Sequence, residues 1–255
     1  MARPTDYSEY LRIDDLLELQ KPLTPAAPDE LLFIVVHQVY ELWFRLLLHE
    51  LLRVRDALLD GAPHLALGSL RRALVIDELS IQQLRLLETM SPDGFLKFRD
   101  PLAPASGFQS FQFRAIEALT GNADDRHVDD PGWSDEHRAI IVDALHQPSL
   151  YPAFCRTCTV AGLPMPGDDA EVRLASLAGL YLDHAAPDRT VLHLVAELLL
   201  DHDEAMLRWR QHHVLMAGRE IGARAGTGGS AGTAYLETTL GRRAFPELWA
   251  VRSRL

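Results

Sequence analysis

The sequence predicts an all-α protein, a helical bundle built on a few long helices. Three observations carry this. Strand-type alternation is hard to find, whereas apolar residues recur at helical spacing along most of the 255 residues. Three of the periodic runs are roughly 27 to 36 residues long, about 40–54 Å at 1.5 Å per residue. No internal repeat or low-complexity linker divides the chain, so residues 1–255 read as a single domain. Long helices of this kind form bundles, often across subunits, with cofactors held between facing helices.

Residues 7–20 read as a short amphipathic helix, ended by Pro22 and Pro25. Asp29 and Glu30 put negative charge at the start of a long helix over 28–59, which favours the helix dipole. That helix stops at Gly61-Ala62-Pro63, and a second spans 64–90. Ser91-Pro92-Asp93-Gly94 reads as a turn and the arginine-bearing stretch 95–107 as a loop. Helix is expected over 108–119, loop over 121–134, and helices over 134–146 and 149–160. A Pro/Gly-rich loop runs to Asp169, then helix over 171–184. After Pro187 a third long helix covers 188–223, followed by the glycine-rich 226–232 and a last helical stretch ending near Leu255.

A formal net charge of −11 makes nucleic acid or an anionic membrane surface an unexpected partner. The opening MARPTDYSEY has no apolar leader, and no run of about 18 uncharged apolar residues occurs. A cytoplasmic protein without a membrane span is expected. Cys155 and Cys158 form a lone C-x-x-C with no second pair to complete a zinc site, so they read as helix-face cysteines in a reducing compartment. His49-Glu50 opens like a zinc-protease motif, but Arg53 stands at the second histidine position. Asp201-His202-Asp203-Glu204 is dense in potential ligands; on a helix these side chains fan out, so a solvated polar face is expected.

Two histidines stand out. His37 lies in LLFIVVHQVYELWF, with Phe33, Tyr40 and Phe44 on its helix face. A polar ring among aromatics needs a hydrogen-bond partner, either a protein group or a ligand. His213 lies in RWRQHHVLMAGREIGA and shares a face with Met206, Trp209, Met216, Ala217 and Glu220, while His212 faces about 100° away and reads as more exposed. A helix histidine with apolar and small neighbours suits axial ligation of a haem iron. The GTGGSAG stretch at 226–232 lacks the Gly-Lys-Ser/Thr of a phosphate loop and follows a helix, so it reads as a closing loop or a plain connector.

Four ordered blocks resemble the haem-dependent tryptophan 2,3-dioxygenases. They are YSEYLRIDDLLELQKPL at 7–23, DELLFIVVHQVYELWF at 29–44, KFRDPLAPASGFQSFQFR at 97–114, and the tail WRQHHVLMAGREIGARAGTGGSAGTAYL with FPELWAVR. Only the middle, about 121–200, matches loosely. The resemblance implies an oligomeric helical bundle enclosing haem b, ferrous in the active state. In it His213 is the proximal iron ligand and His37 the catalytic distal histidine that accepts a hydrogen bond from the indole N–H. Phe33 packs on the indole, Phe95 stands at a substrate-pocket position, Arg99 clasps the substrate carboxylate and Thr227 holds the amino-acid end. Ser106, Gly107 and Leu84 belong to the haem pocket. Tyr7, Tyr10 and Leu11 are implied to reach a neighbouring subunit's pocket, in a homotetramer arranged as a dimer of dimers. The implied reaction adds both atoms of O2 across C2=C3 of L-tryptophan, or of a close indole amino acid, to give N-formylkynurenine.

The chain departs from the family pattern at three positions. Leu84 stands where tryptophan is frequent, Phe95 where some members carry tyrosine, and His212 where arginine is usual. The wider superfamily supplies the alternative reading, a monooxygenase that makes an oxindole from tryptophan or β-methyltryptophan. A haem carrier or sensor and a haem-free interaction protein are the readings from other classes.

Overall fold

The computed structural model describes residues 6–123, 132–183 and 185–255. Helix accounts for 72% of the chain, and no strand occurs among the described residues, so the expected all-α class holds. Two short helices, α1 (Tyr7–Leu11) and α2 (Ile13–Leu17), precede the long α3 (Glu30–Leu59) and α4 (Pro63–Leu87). Then come α5 (Pro92–Leu102), a 3-10 turn at Gly107–Gln109 and α6 (Phe111–Leu119). Next are α7 (Asp135–His146), α8 (Leu150–Val160), α9 (Ala170–Leu182) and the 35-residue α10 (Pro187–Ile221). Short α11 (Thr233–Glu237), α12 (Pro246–Ala250) and a 3-10 turn at Val251–Arg254 end the chain. The expected loop over 121–134 and the end of the expected helix at residue 184 fall partly outside the described residues.

The scaffold is three long helices. Helix α4 packs against both α3 and α10, and α6 and α8 cover α3. Leu51, Val54, Leu58, Leu70, Leu192 and Leu199 are among the buried residues that join them. By length and composition α3 is apolar enough to cross a membrane, which the sequence reading did not expect of any segment. Glu41 and Arg45 interrupt its apolar run; one face packs against α4, α6 and α8, while Leu31, Val35 and Leu42 stay exposed. At its start the buried Glu30 carboxylate accepts hydrogen bonds from the Leu23 and Thr24 amides at 2.7 and 2.6 Å. The acidic start of α3 therefore tethers the incoming chain as well as favouring the dipole.

Three expectations are corrected. The helix expected over 7–20 is broken at Arg12, whose φ is 54°. Neither α1 nor α2 has a buried residue, so no packed face holds one continuous helix. The turn and loop expected over 91–107 are largely helix α5. Ser91 accepts a hydrogen bond from the Gly94 amide at 3.1 Å and Pro92 occupies the first turn, so the apparent turn signal is an N-cap. Gly94 is needed there because a Cβ would lie 2.2 Å from an Asp29 carboxylate oxygen. Phe95 and Phe98 then turn into the core.

The third correction concerns Asp201-His202-Asp203-Glu204. Asp201 and Glu204 are exposed, but His202 and Asp203 are fully buried. His202 Nδ1 lies 2.7 Å from an Asp77 carboxylate oxygen on α4. Asp203 accepts hydrogen bonds from the Ala244 and Phe245 amides and from the Trp249 indole, at 2.9, 3.2 and 2.8 Å, and so fixes the C-terminal segment onto α10. Burial made these groups structural: Asp203 is satisfied by three donors and His202 by Asp77 at Nδ1, while His202 Nε2 is buried without a partner. Asp203→Asn keeps the shape but turns an NH2 toward donors; it should destabilise the fold by about 1–3 kcal/mol. A lowered urea midpoint with unchanged slope is the expected readout, and an unmoved midpoint contradicts it.

Candidate active site

The three long helices all contribute to the wall of a cavity of about 300 Å³. His37 from α3 and His213 from α10 both face it, although 176 residues (213 − 37) separate them in sequence. Its walls are mostly apolar, with Phe33, Phe44, Leu84, Leu87 and Met216 contributing. Ala217, beside Met216, lets a flat ligand approach the α10 backbone.

His37 Nδ1 lies 2.7 Å from the Phe33 carbonyl one turn earlier. A carbonyl can only accept, so Nδ1 carries the hydrogen and Nε2 keeps its lone pair. The protein crowded around the ring holds the pKa of His37 below the ordinary histidine value, although the ring keeps an accessible edge, against the opposing effects of the Phe33 carbonyl and Glu41. The ring is therefore a neutral hydrogen-bond acceptor at pH 7. Phe33 lies beside it, with ring centroids 4.0 Å apart.

His213 makes no hydrogen bond with any described residue, and its ring lies along Trp209 at 5.1 Å and 28°. Burial, aided by His37, pushes its pKa down to about 4. An unpartnered, neutral imidazole in an apolar cavity is a vacant nitrogen donor, which fits the requirement of a haem iron. His212 does not line the cavity and is half-buried, as His213 is.

One rim of the cavity is set by α5 and the glycine-rich loop. Arg99 lies one turn beyond Phe95, and both line the cavity. An Arg99 Nη donates to the Ala225 carbonyl, while its buried Nε has no partner. Thr227 donates through its hydroxyl to the Ala105 carbonyl at 2.7 Å. A Cβ at Gly228 would sit 2.6 Å from the Ser106 side chain, so only glycine allows this close approach. The loop expected as either a closing loop or a connector is thus clipped over the cavity, against Ser106 and Gly107, which also line it.

Every residue assigned from sequence to substrate or haem within one subunit reaches this one space: Phe33, His37, Leu84, Phe95, Arg99, Ser106, Gly107, Thr227 and His213. Tyr7, Tyr10 and Leu11 do not; they are 76, 75 and 42% exposed on α1. Sequence reasoning missed an ionic group on another wall. Arg114 pairs with Glu117 at 2.5 Å, and Arg210 from α10 lies 3.8 Å from the same carboxylate. The three-residue spacing of Arg114 and Glu117 on α6 was a visible signal; the partner from α10 was not. Among the described residues no group of three or more His, Cys, Asp or Glu side chains is placed to hold a metal ion. Glu50 is taken up by Arg72 and Arg53, at 2.5 and 3.5 Å. Both cysteines are free on α8, where burial pushes the Cys155 thiol up to about 11, far from a reactive thiolate.

Two neutral histidines facing one mostly apolar chamber between long helices define the class of all-α proteins with an internal ligand pocket. The family model described as tryptophan 2,3-dioxygenase matches residues 1–142 and 172–255. The chain belongs to the tryptophan 2,3-dioxygenase family. A protein of that name from Nocardioides sp. is 44% identical, over 98% of this chain and 94% of its own length. Namesakes from Anaeromyxobacter sp. strain K and Caulobacter vibrioides are 42% and 40% identical, the latter over the full length of both chains.

Proposed function

We propose that this protein is a haem-dependent oxygenase that opens the indole ring of L-tryptophan with O2 to give N-formylkynurenine. The observation that carries the reading is the pairing of an acceptor Nε2 on His37 with the unpartnered imidazole of His213 across one apolar cavity. His213 would hold the iron of haem b. Ferrous haem, when bound, supplies the oxygen chemistry that side chains cannot. The protein's own part is placement. Phe33 and the apolar walls take the flat indole and exclude water. His37 Nε2 accepts the indole N–H and fixes which edge of the ring faces the reacting oxygen. Arg99 has a free buried Nε with which to grip the carboxylate, and Thr227 stands beside it on the same rim. Phe95 packs behind Phe33, ring centroids 5.8 Å apart, while Ser106, Gly107 and Leu84 line the haem space.

The same reading makes the single domain of residues 1–255 one subunit of a cytoplasmic homotetramer. Helix α1 supports this, since it buries none of its own residues and presents Tyr7 and Tyr10 outward, free to cover a neighbour's cavity. Anaerobic reduction of the haem-loaded protein, addition of L-tryptophan and then O2, and mass spectrometry of the product test the proposal. The expected product is 32 mass units heavier than tryptophan. A product 16 units heavier makes the enzyme a monooxygenase, and a haem spectrum without turnover makes it a carrier.

A further inference from the structure

Glu220 lies at the end of α10, two turns beyond His213, and nothing in the reaction described above uses it. It is only 6% exposed, it lines the cavity, and one of its carboxylate oxygens is buried without a hydrogen-bond partner. A buried carboxyl group left unsatisfied is costly, and a natural cavity retains one where a ligand completes it. Its surroundings narrow the chemistry of that ligand. The charged groups that face it are Arg219 on α10, Asp29 at the start of α3 and Glu88 after α4. Arg219 is drawn toward Glu88, 3.9 Å away. Two of the three neighbours are acidic, so the local potential favours a cation. Burial raises the pKa of Glu220; Arg219 opposes the rise, and Asp29 and Glu88 add to it. A positively charged ligand group would reverse that shift.

The position of this carboxyl relative to Arg99 points the same way. Five residues after Glu220, Ala225 accepts a hydrogen bond from Arg99. Asp29, which faces Glu220, packs against Gly94 at the start of α5, the helix that carries Arg99. The end of α10 and helix α5 thus bring one cationic and one anionic side chain, each with an unpartnered buried atom, to a common cavity. We propose that Glu220 is the counter-ion for the ammonium group of the amino-acid substrate, so that the cavity reads a zwitterion with Arg99 on the carboxylate and Glu220 on the amine. This rests on the tryptophan reading and deepens it.

Equilibrium binding to the haem-loaded protein without O2 tests it, with L-tryptophan compared to indole-3-propionate, which lacks only the ammonium. Glu220→Gln keeps the shape and removes the charge. It should weaken L-tryptophan binding by about tenfold or more, the scale of a charge-assisted contact, and leave indole-3-propionate binding unchanged. Equal weakening of both ligands, or of neither, overturns the proposal. Lost haem content with unchanged ligand discrimination overturns it too, and gives Glu220 to the cofactor. If the wild type binds neither ligand, the tryptophan reading itself fails, an outcome distinct from a selective failure of Glu220.

Discussion

His213→Ala should abolish stable haem binding while leaving the polypeptide folded. The two halves of this expectation have different grounds. The imidazole makes no hydrogen bond with a described residue and is half-buried against an open cavity, so its removal frees no buried donor or acceptor. Its ring contact is with Trp209, stacked at 5.1 Å, so the loss in packing is that of one small ring. Haem, in contrast, loses its nitrogen ligand; His37, the other histidine on the wall, has Nδ1 tied to the Phe33 carbonyl and is held on α3. Haem per chain after reconstitution and the Soret band are the measurements. His212→Ala, one residue away and outside the cavity wall, should retain wild-type haem content. Added imidazole should restore part of the Soret band in His213→Ala by entering the space left. A normal Soret band in His213→Ala without imidazole contradicts the assignment.

The two histidines also show what was legible in the sequence. Helical period places Phe33, Tyr40 and Phe44 on the His37 face, and Trp209, Met216 and Ala217 on the His213 face, because a helix face depends on neighbours three and four residues away. All of these line the cavity. What period cannot supply is which faces meet. Arg210 joins Arg114 and Glu117 only because α10 crosses near α6, a long-range outcome of packing. The misreading of Asp201-His202-Asp203-Glu204 has the same origin: Asp77, 125 residues earlier, and the Ala244 and Phe245 amides turn a polar stretch into a buried anchor. Helix α5 was hidden by local signals. Ser91, Pro92 and Gly94 suit a turn as well as an N-cap, and only the burial of Phe95 and Phe98 decides between them. The family assignment fared better than these elements because it came from ordered blocks of resemblance, which carry the packing of the whole family with them.

Arg99→Ala should weaken L-tryptophan binding by about 2–5 kcal/mol, the range for removing one partner of a buried charge pair. The guanidinium is largely enclosed, its side chain 17% exposed, and it is already oriented by the Ala225 carbonyl. Its acidic neighbour Asp100 is 3.9 Å away and almost fully in water, so it screens the charge weakly. That leaves Nε and the remaining Nη hydrogens for a carboxylate, with little conformational freedom to lose on binding. Arg99→Lys should not restore affinity, because an ammonium cannot offer two parallel donors. The same side chain also holds the glycine-rich loop through Ala225, so its loss loosens the cavity rim as well as removing a ligand contact. Tryptamine, which lacks the carboxylate, separates these effects. Whatever affinity both ligands lose belongs to the loop, and the additional loss for L-tryptophan belongs to the carboxylate. Equal losses would leave Arg99 as a loop clasp and move carboxylate recognition elsewhere on the wall.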